Sequence, residues 1–253
     1  MAESLEQAWE LNQKGRNNVI IGGNLWLKMG NRNILNAIDL STLGLDRIEE
    51  DEGGFRIGCM ATLRDIEMHE GLNKEFQNLF KEAVRHIVGV QFRNCATVGG
   101  SIFPKLGFSD VLTAFLACDT QVILYKKGEV SLREFIYMPL DNDILTHIYV
   151  KKDGRKTAYE SFRMTETDFP TLTCAMAMVD GRFETVLGAR PKHAEVVIDE
   201  ELADSLSKED VASYAKRVID KLQYGSNIRG SKQYRKQLSK VLISRCISRL
   251  TEE

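Results

Sequence analysis

Two segments with paired glycines constrain this chain most: residues 19–25 contain Gly22-Gly23, and residues 96–102 contain Gly99-Gly100. β-branched residues precede or lie within each pair, which predicts a strand that runs into a tight turn. Glycine has no Cβ, so its backbone can adopt a positive φ and can lie close to a ligand. Two such turns facing each other would present convergent backbone N–H groups, an arrangement that suits a pyrophosphate.

Length and composition narrow the class of protein. The chain has 253 residues, 43% of them hydrophobic and 28% charged, which fits one large or two ordinary globular domains. The net charge of −2 does not favour binding to nucleic acid or to a membrane surface, both of which are negatively charged. No apolar run is long enough to span a bilayer, and the acidic, polar N-terminus does not resemble a secretion signal. We therefore expect a cytoplasmic protein without nucleic-acid or membrane partners.

The five cysteines are odd in number and widely spaced, and no CxxC pair occurs. This pattern predicts no metal site and no iron–sulfur cluster held by this chain alone, and it favours buried free thiols in a reducing compartment. The four histidines have no carboxylate or nucleophile partner at a motif spacing. We therefore assign no catalytic dyad or triad, and no catalytic residue, to this chain.

Hydrophobic periodicity predicts alternating helices and strands, followed by a charged linker at residues 151–156. Before the linker, we predict helices over 2–14, 73–90 and 109–118, a capped helix start at Thr62–Asp65, and strands over 19–21, 55–59, 121–125 and 144–150. Beyond the linker, we predict strands over 157–163, 171–179 and 183–187, with a hairpin at Asp180-Gly181, and helices over 207–222 and 231–250. This second half is predicted to be an antiparallel sheet with helices on one side, an α+β arrangement.

Neither glycine segment has the spacing of the common nucleotide motifs. A Rossmann site needs G-x-G-x-x-G between a strand and a helix, and a P-loop needs G-x-x-x-x-G-K-S/T. Four ordered segments are more specific: IIGGNLW at 20–26; RNCATVGGS at 93–101 followed by Ser109-Asp110; YESFR at 159–163 with Asp168; and GSKQYR at 230–235 with Arg245. Together they resemble the flavin-binding subunit of the molybdenum hydroxylases, the family of xanthine dehydrogenase, CO dehydrogenase and nicotinate dehydrogenase.

The resemblance implies an α+β fold in two parts. Residues 1–152 would be a PCMH-type (vanillyl-alcohol-oxidase-like) FAD-binding domain, with subdomains of about 1–55 and 56–152 and FAD between them. Residues 153–253 would be a small C-terminal domain like that of the CO dehydrogenase flavoprotein, an antiparallel sheet with helices.

The resemblance also implies which residues contact FAD. Around the pyrophosphate they are Ile20, Ile21, Gly22, Gly23, Asn24, Leu25 and Trp26 on one side, and Thr97, Val98, Gly99, Gly100 and Ser101 on the other. Asp110 would accept a hydrogen bond from a ribose or ribityl hydroxyl, or would simply complement a helix start. Ile87 and Leu145 would lie beside the isoalloxazine ring, although Ile87, like Trp26, also suits a core position.

The sequence departs from the family pattern in three places. Asn24-Leu25 replaces Thr-Asp/Glu, Ser101 replaces Asn, and Glu160 replaces a residue that is basic near the flavin in some relatives. A positive charge there would favour reduction of the flavin, and an inward-facing Glu160 would oppose it. These departures affect the expected flavin potential and affinity, whereas the glycine scaffold remains.

The resemblance implies an electron-transfer subunit of a heteromeric molybdenum hydroxylase. A separate molybdenum subunit would hydroxylate the substrate, a [2Fe–2S] subunit would pass electrons to FAD, and FAD would pass them to NAD⁺ or another acceptor. Two alternatives stay open: a scaffold subunit of the same complex that has lost FAD, and a stand-alone flavin reductase of the enolpyruvyl-UDP-N-acetylglucosamine reductase type.

Overall fold

A computed structural model describes residues 1–199 and 207–251, which form three sheets and ten α-helices. The strands are β1 (Asn18–Ile21), β2 (Asn36–Asp39), β3 (Ile48–Glu50), β4 (Gly54–Gly58), β5 (Thr120–Leu124), β6 (Gly128–Ser131), β7 (Leu145–Lys151), β8 (Lys156–Phe162), β9 (Leu172–Val179), β10 (Arg182–Gly188) and β11 (Glu195–Ile198). The helices are α1 (Leu5–Gln13), α2 (Leu63–Met68), α3 (Glu70–Glu75), α4 (Leu79–Val84), α5 (Val90–Arg93), α6 (Val98–Ile102), α7 (Asp110–Leu116), α8 (Leu132–Phe135), α9 (Lys208–Asp220) and α10 (Lys232–Thr251). Helices and mostly antiparallel sheets confirm the expected α+β class.

Two sheets organise the first part of the chain. β1 and β2 pair in parallel, with Ile20 opposite Ile38. The second sheet has the order β3-β4-β7-β5-β6, and all of its neighbouring strands are antiparallel. The predicted capping box is confirmed, because the Thr62 side chain accepts from the Asp65 N–H while the Asp65 carboxylate accepts from the Thr62 N–H.

The prediction of one helix over residues 73–90 is wrong. The chain forms α3 and α4 instead, and between them Gln77 and Asn78 have φ values of 43° and 63°. A tertiary contact explains the break. The Thr157 N–H donates to the Gln77 side-chain oxygen at 2.6 Å, and the Thr157 hydroxyl donates to the Phe76 carbonyl at 2.6 Å. These bonds to β8 hold residues 76–78 outside helical geometry, although the apolar spacing on both sides is helical.

The C-terminal sheet has the order β11-β10-β9-β8 and is fully antiparallel. The hairpin prediction at Asp180-Gly181 is confirmed, since both residues have positive φ, 48° and 75°. Strand β11 was not predicted from the sequence. Residues 151–156 are less open than a linker, because β7 extends through Lys151 and Arg155 is buried.

The two faces of this sheet are buried against different elements. Cys174 and Met176 of β9 share a hydrophobic cluster with residues of α9 and α10, whereas Ala175 belongs to the core of the first part. On that inner face the Thr173 and Thr113 hydroxyls lie 3.0 Å apart, which joins β9 to α7. Because alternate residues of a strand point to opposite faces, one strand stabilises both halves of the molecule. A domain boundary at residues 152/153 remains our proposal.

Candidate functional site

The two glycine segments lie directly against each other. A Cβ added at Gly23 would lie 1.7 Å from the carbonyl oxygen of Cys95, and one added at Gly22 would lie 2.4 Å from the hydroxyl oxygen of Thr97. None of the four paired glycines has a φ in the left-handed region. The glycines therefore permit close approach of two backbones, and positive φ is not the reason for them.

The first glycine segment offers free backbone donors. Within residues 1–199 and 207–251, the N–H groups of Gly23, Asn24 and Leu25 meet no acceptor. Asn24, whose φ is 56°, is exposed, while Gly23 and Leu25 are half-buried. Successive N–H groups around a left-handed residue form a concave site for an anion.

The second glycine segment is a helix start and not a tight turn, so that prediction is wrong. Thr97 caps α6 by accepting from the Gly100 N–H at 3.1 Å. The Val98 and Gly99 N–H groups donate to the carbonyls of Ala61 and Cys59, both at 2.8 Å, and the Ser101 N–H donates to the Thr97 carbonyl at 3.1 Å. The N–H groups of residues 98–101 therefore donate to acceptors within the protein, and the Thr97 hydroxyl faces the first loop.

A buried ion pair that sequence reasoning missed supports the second segment. Arg93 binds Glu67 of α2 through Nε at 2.8 Å, and the two side chains are 7% and 8% exposed. Arg93 also donates to the carbonyl of Ile87 at 3.2 Å, while Arg64 binds the same Glu67 carboxylate at 2.9 Å. The Arg-Asn pair at the start of the second motif was the available signal, and its arginine fixes the segment that precedes α6.

Asp110 belongs to a buried network that joins α7 to β8. Its carboxylate accepts from the Tyr159 hydroxyl at 2.5 Å and from the Arg163 guanidinium at 2.7 Å. Burial raises the pKa of the Asp110 carboxyl, and the two donors oppose that increase. Burial and the neighbouring Asp110 carboxylate raise the pKa of the Tyr159 hydroxyl well above its usual value. Asp110 is also the first residue of α7, after the Ser109 cap, so it occupies the helix-start position as well.

An aromatic cluster covers the outer end of the first glycine segment. Trp26 stacks on Phe169 with a centroid distance of 5.4 Å and lies 6.2 Å from Phe108, and Arg229 lies 4.9 Å above the Phe169 ring. Arg229 also binds Asp168 at 2.7 Å. Trp26 is 46% exposed, so it is a surface residue at the contact between the first loop and the C-terminal sheet.

The remaining predicted residues lie in different surroundings. Ile20 and Ile21 are in β1, Val98 and Leu145 are buried in the core of the first part, and Ile87 packs against that core. Glu160 is not brought to the glycine segments. It lies on the opposite face of β8 from Tyr159, where its carboxylate binds Arg249 of α10 at 2.6 Å.

Residues 1–199 and 207–251 contain no cluster of three or more histidine, cysteine or acidic side chains that could hold a metal ion. None of the helices there combines the length and the apolar character needed to cross a membrane.

Comparison with known proteins places this geometry in context. Residues 1–150 match the model of the family described as the FAD binding domain in molybdopterin dehydrogenase. The glyceraldehyde dehydrogenase medium chain of Sulfolobus acidocaldarius is 26% identical over 95% of this chain and 93% of its own length. The uncharacterized protein YgfM of Escherichia coli K12 is 27% identical over 70% of this chain and 68% of its own length. A carbon monoxide dehydrogenase from Hydrogenophaga pseudoflava shares the fold with a TM-score of 0.85 at 22% identity, over 98% of this chain and 95% of that chain.

Proposed function

Because this chain belongs to the family of the FAD binding domain in molybdopterin dehydrogenase, we propose that it carries electrons through FAD within a larger complex. The chain is an FAD-binding oxidoreductase subunit of the molybdenum hydroxylase type. We propose that electrons arrive from [2Fe–2S] clusters on a partner subunit and leave to NAD⁺ or another acceptor. The organic substrate would be hydroxylated on a separate molybdenum subunit.

The residues of the site fit an anionic dinucleotide. The observation that carries the proposal is the run of free N–H groups at Gly23, Asn24 and Leu25, held in place by the second glycine segment. Hydrogen bonds from such donors to phosphate oxygens are charge-assisted and therefore strong. We propose that these three N–H groups and the Thr97 hydroxyl bind the pyrophosphate.

The roles of the other residues follow from their placement. The Arg93–Glu67 pair orients the second segment, and the Asp110 network fixes the C-terminal sheet against α7. When bound, FAD supplies the redox chemistry, which lets the subunit exchange electrons with one-electron and two-electron partners. The protein's task is to bind and orient the cofactor and to set the charge around it.

We propose a cytoplasmic location, which the cysteines support. Cys59, Cys95, Cys118, Cys174 and Cys246 are all free thiols. Widely spaced cysteines without a CxxC pair are typical of a protein in a reducing compartment. Recovery of the protein in a periplasmic or extracellular fraction would contradict this location.

An absorption spectrum of the purified chain, before and after dithionite, tests the proposal. We expect flavin bands that bleach on reduction, and co-purification of molybdenum and iron–sulfur subunits when the chain is captured from its own cells. A colourless chain that takes up no FAD after refolding with excess cofactor would contradict flavin-based electron transfer and favour the scaffold alternative. Oxidation of NADPH by the isolated chain that depends on enolpyruvyl-UDP-N-acetylglucosamine would instead favour the reductase alternative.

A further inference from the structure

Helix α10 differs in charge from the rest of the chain. Its 20 residues include six basic side chains and no acidic one, although acidic residues outnumber basic ones, 36 to 34, in the whole sequence. Arg235 is buried and donates to backbone carbonyls, among them that of Thr171 at 2.9 Å, so its role lies inside the fold. The other five basic residues are exposed or half-buried: Lys232, Lys236, Lys240, Arg245 and Arg249.

The chain balances only part of this charge. Glu160 of β8 binds Arg249 at 2.6 Å and lies 4.0 Å from Arg245. Within residues 1–199 and 207–251, no ion pair involves the three lysines of the helix, Lys232, Lys236 and Lys240. The described chain therefore leaves the three lysine charges uncompensated.

Helix α9, which packs in the same hydrophobic cluster, follows the usual electrostatic rules for a helix. Glu209 and Asp210 occupy its first turn, where acidic side chains complement the positive end of the helix dipole. Further along, Lys216 binds Asp220, four residues away, at 3.0 Å, and opposite charges at this spacing stabilise a helix. The charges of α9 thus support its own fold.

Helix α10 opposes both rules. Its first turn holds Lys232 and no acidic residue, so a positive charge lies at the positive end of the dipole. Lys232, Lys236 and Lys240 follow one another at intervals of four residues, as do Arg245 and Arg249, and like charges at this spacing repel. The fold gains no stability from this arrangement, which points to a contact outside the chain.

A stripe of uncharged side chains runs between the basic residues. Positions 234, 237, 241, 244 and 248 are all exposed and recur at intervals of three and four residues. At about 100° per residue they share one side of α10, with Lys240 on one flank and Arg245 on the other. This spacing is that of the seam between two packed helices, whose flanking charges select the partner. We call this surface the outer face of α10; its stripe consists of Tyr234, Gln237, Val241, Ser244 and Ser248.

We propose that the outer face of α10 binds an acidic helix of another subunit in the complex. This assignment rests on the proposed function, which supplies the complex, and it adds the docking surface and the chemistry of one partner. Complementarity to the basic flanks requires acidic side chains on that partner. Tyr234 and Val241, which are 40% and 46% exposed, would be buried by a helix, whereas a nucleic acid would be repelled by the net charge of −2.

Charge reversal tests the proposal in the full chain loaded with FAD. The variant K232E/K240E changes two exposed lysines of α10, and the matched control K74E/K81E changes two exposed lysines of α3 and α4. We expect the dissociation constant for reassembly with the separated partner subunits to rise about tenfold or more in K232E/K240E and less than about threefold in the control. FAD content should not change in either variant. The thermal midpoint of K232E/K240E alone should not fall, because both repulsions with Lys236 become attractions.

Carbodiimide cross-linking of the wild-type complex, isolated from its own cells, identifies the partner. This reagent joins lysine amines to carboxylates in contact, so we expect Lys232 or Lys240 to be joined to an aspartate or glutamate in a helix of another subunit. Equal reassembly of K232E/K240E and the control, cross-links from these lysines only within this chain, or binding that a nuclease abolishes would overturn the assignment of α10 alone. Recovery of the FAD-loaded wild-type chain without partner subunits would overturn the proposed heteromeric function, and this assignment with it.

Discussion

Substitution of Gly23 by alanine should destabilise this protein even without its cofactor. The added Cβ would lie 1.7 Å from the carbonyl oxygen of Cys95, 2.4 Å from its carbonyl carbon and 3.1 Å from the backbone nitrogen of Ala96. All three atoms belong to the backbone, so no side-chain rotation relieves the overlap. The first loop must therefore withdraw by roughly 2 Å to reach an ordinary contact distance.

The size of the effect follows from this overlap. Inserting an extra methyl into a close-packed site costs about 1–3 kcal/mol, which for a chain of this length lowers the thermal midpoint by about 2–12 °C. The displacement also moves the Gly23, Asn24 and Leu25 N–H groups away from any bound phosphate. Loss of one charge-assisted hydrogen bond corresponds to a decrease in FAD affinity of about tenfold or more.

Three alanine variants form a graded series for this prediction. A Cβ at Gly15 meets nothing within 4 Å, and one at Gly100 meets only the Thr97 hydroxyl oxygen at 3.0 Å. Thermal unfolding of the FAD-free proteins should therefore rank G15A closest to wild type, G100A next and G23A lowest. If FAD-free G23A is as stable as G15A and only its FAD affinity decreases, then the phosphate, and not Cys95, is what excludes a side chain at Gly23.

Three other features give further predictions. Val88 is 51% exposed with a φ of 51°, so V88G should raise the free energy of unfolding by about 1 kcal/mol in urea titrations; a decrease would contradict the reported strain. R93M leaves the buried Glu67 carboxylate without this partner and should lower the free energy of unfolding by about 3 kcal/mol; a decrease below about 1 kcal/mol would contradict this expectation. Burial has the largest single effect and raises the pKa of Glu67, but the hydrogen bonds and charges of Arg93 and Arg64 together outweigh it and lower that pKa. The pair's contribution is therefore complete above pH 4.5 and lost as the pH falls through the lowered value, a loss that should be smaller in R93M. Burial raises the pKa of Cys59 to about 12, so a thiol reagent should modify only exposed Cys95 in the native protein and all five cysteines after denaturation; a second native thiol would contradict the burial.

Short sequence motifs predicted the elements that are stabilised by contacts between nearby residues. The Asp180-Gly181 hairpin and the Thr62 capping box depend on residues within a few positions of each other, and both are confirmed. The break at Gln77 could not be predicted, because its cause is Thr157, eighty residues away. Strand β11 forms by pairing with β10, and its four residues carry too little pattern to be recognised on their own.

The sequence predicted which segments form the candidate site, but it did not predict which of their groups are available to a ligand. The sequence indicated that Gly22-Gly23 and Gly99-Gly100 act together, and the structure places the two segments in contact. It could not indicate which N–H groups are free, since those of the second segment are taken by the carbonyls of Cys59 and Ala61 from a distant loop. It also could not reveal the buried ion pair between Arg163 and Asp110, because the two residues lie far apart in the sequence.

The donors of the first loop have a consequence for how such proteins diverge. The N–H groups of residues 23–25 are present whatever side chains stand there, provided that glycine remains where the two backbones touch. If these donors bind the pyrophosphate as we propose, the site tolerates Asn24-Leu25 where the family pattern has Thr-Asp/Glu, because a change of side chain leaves the N–H groups in place.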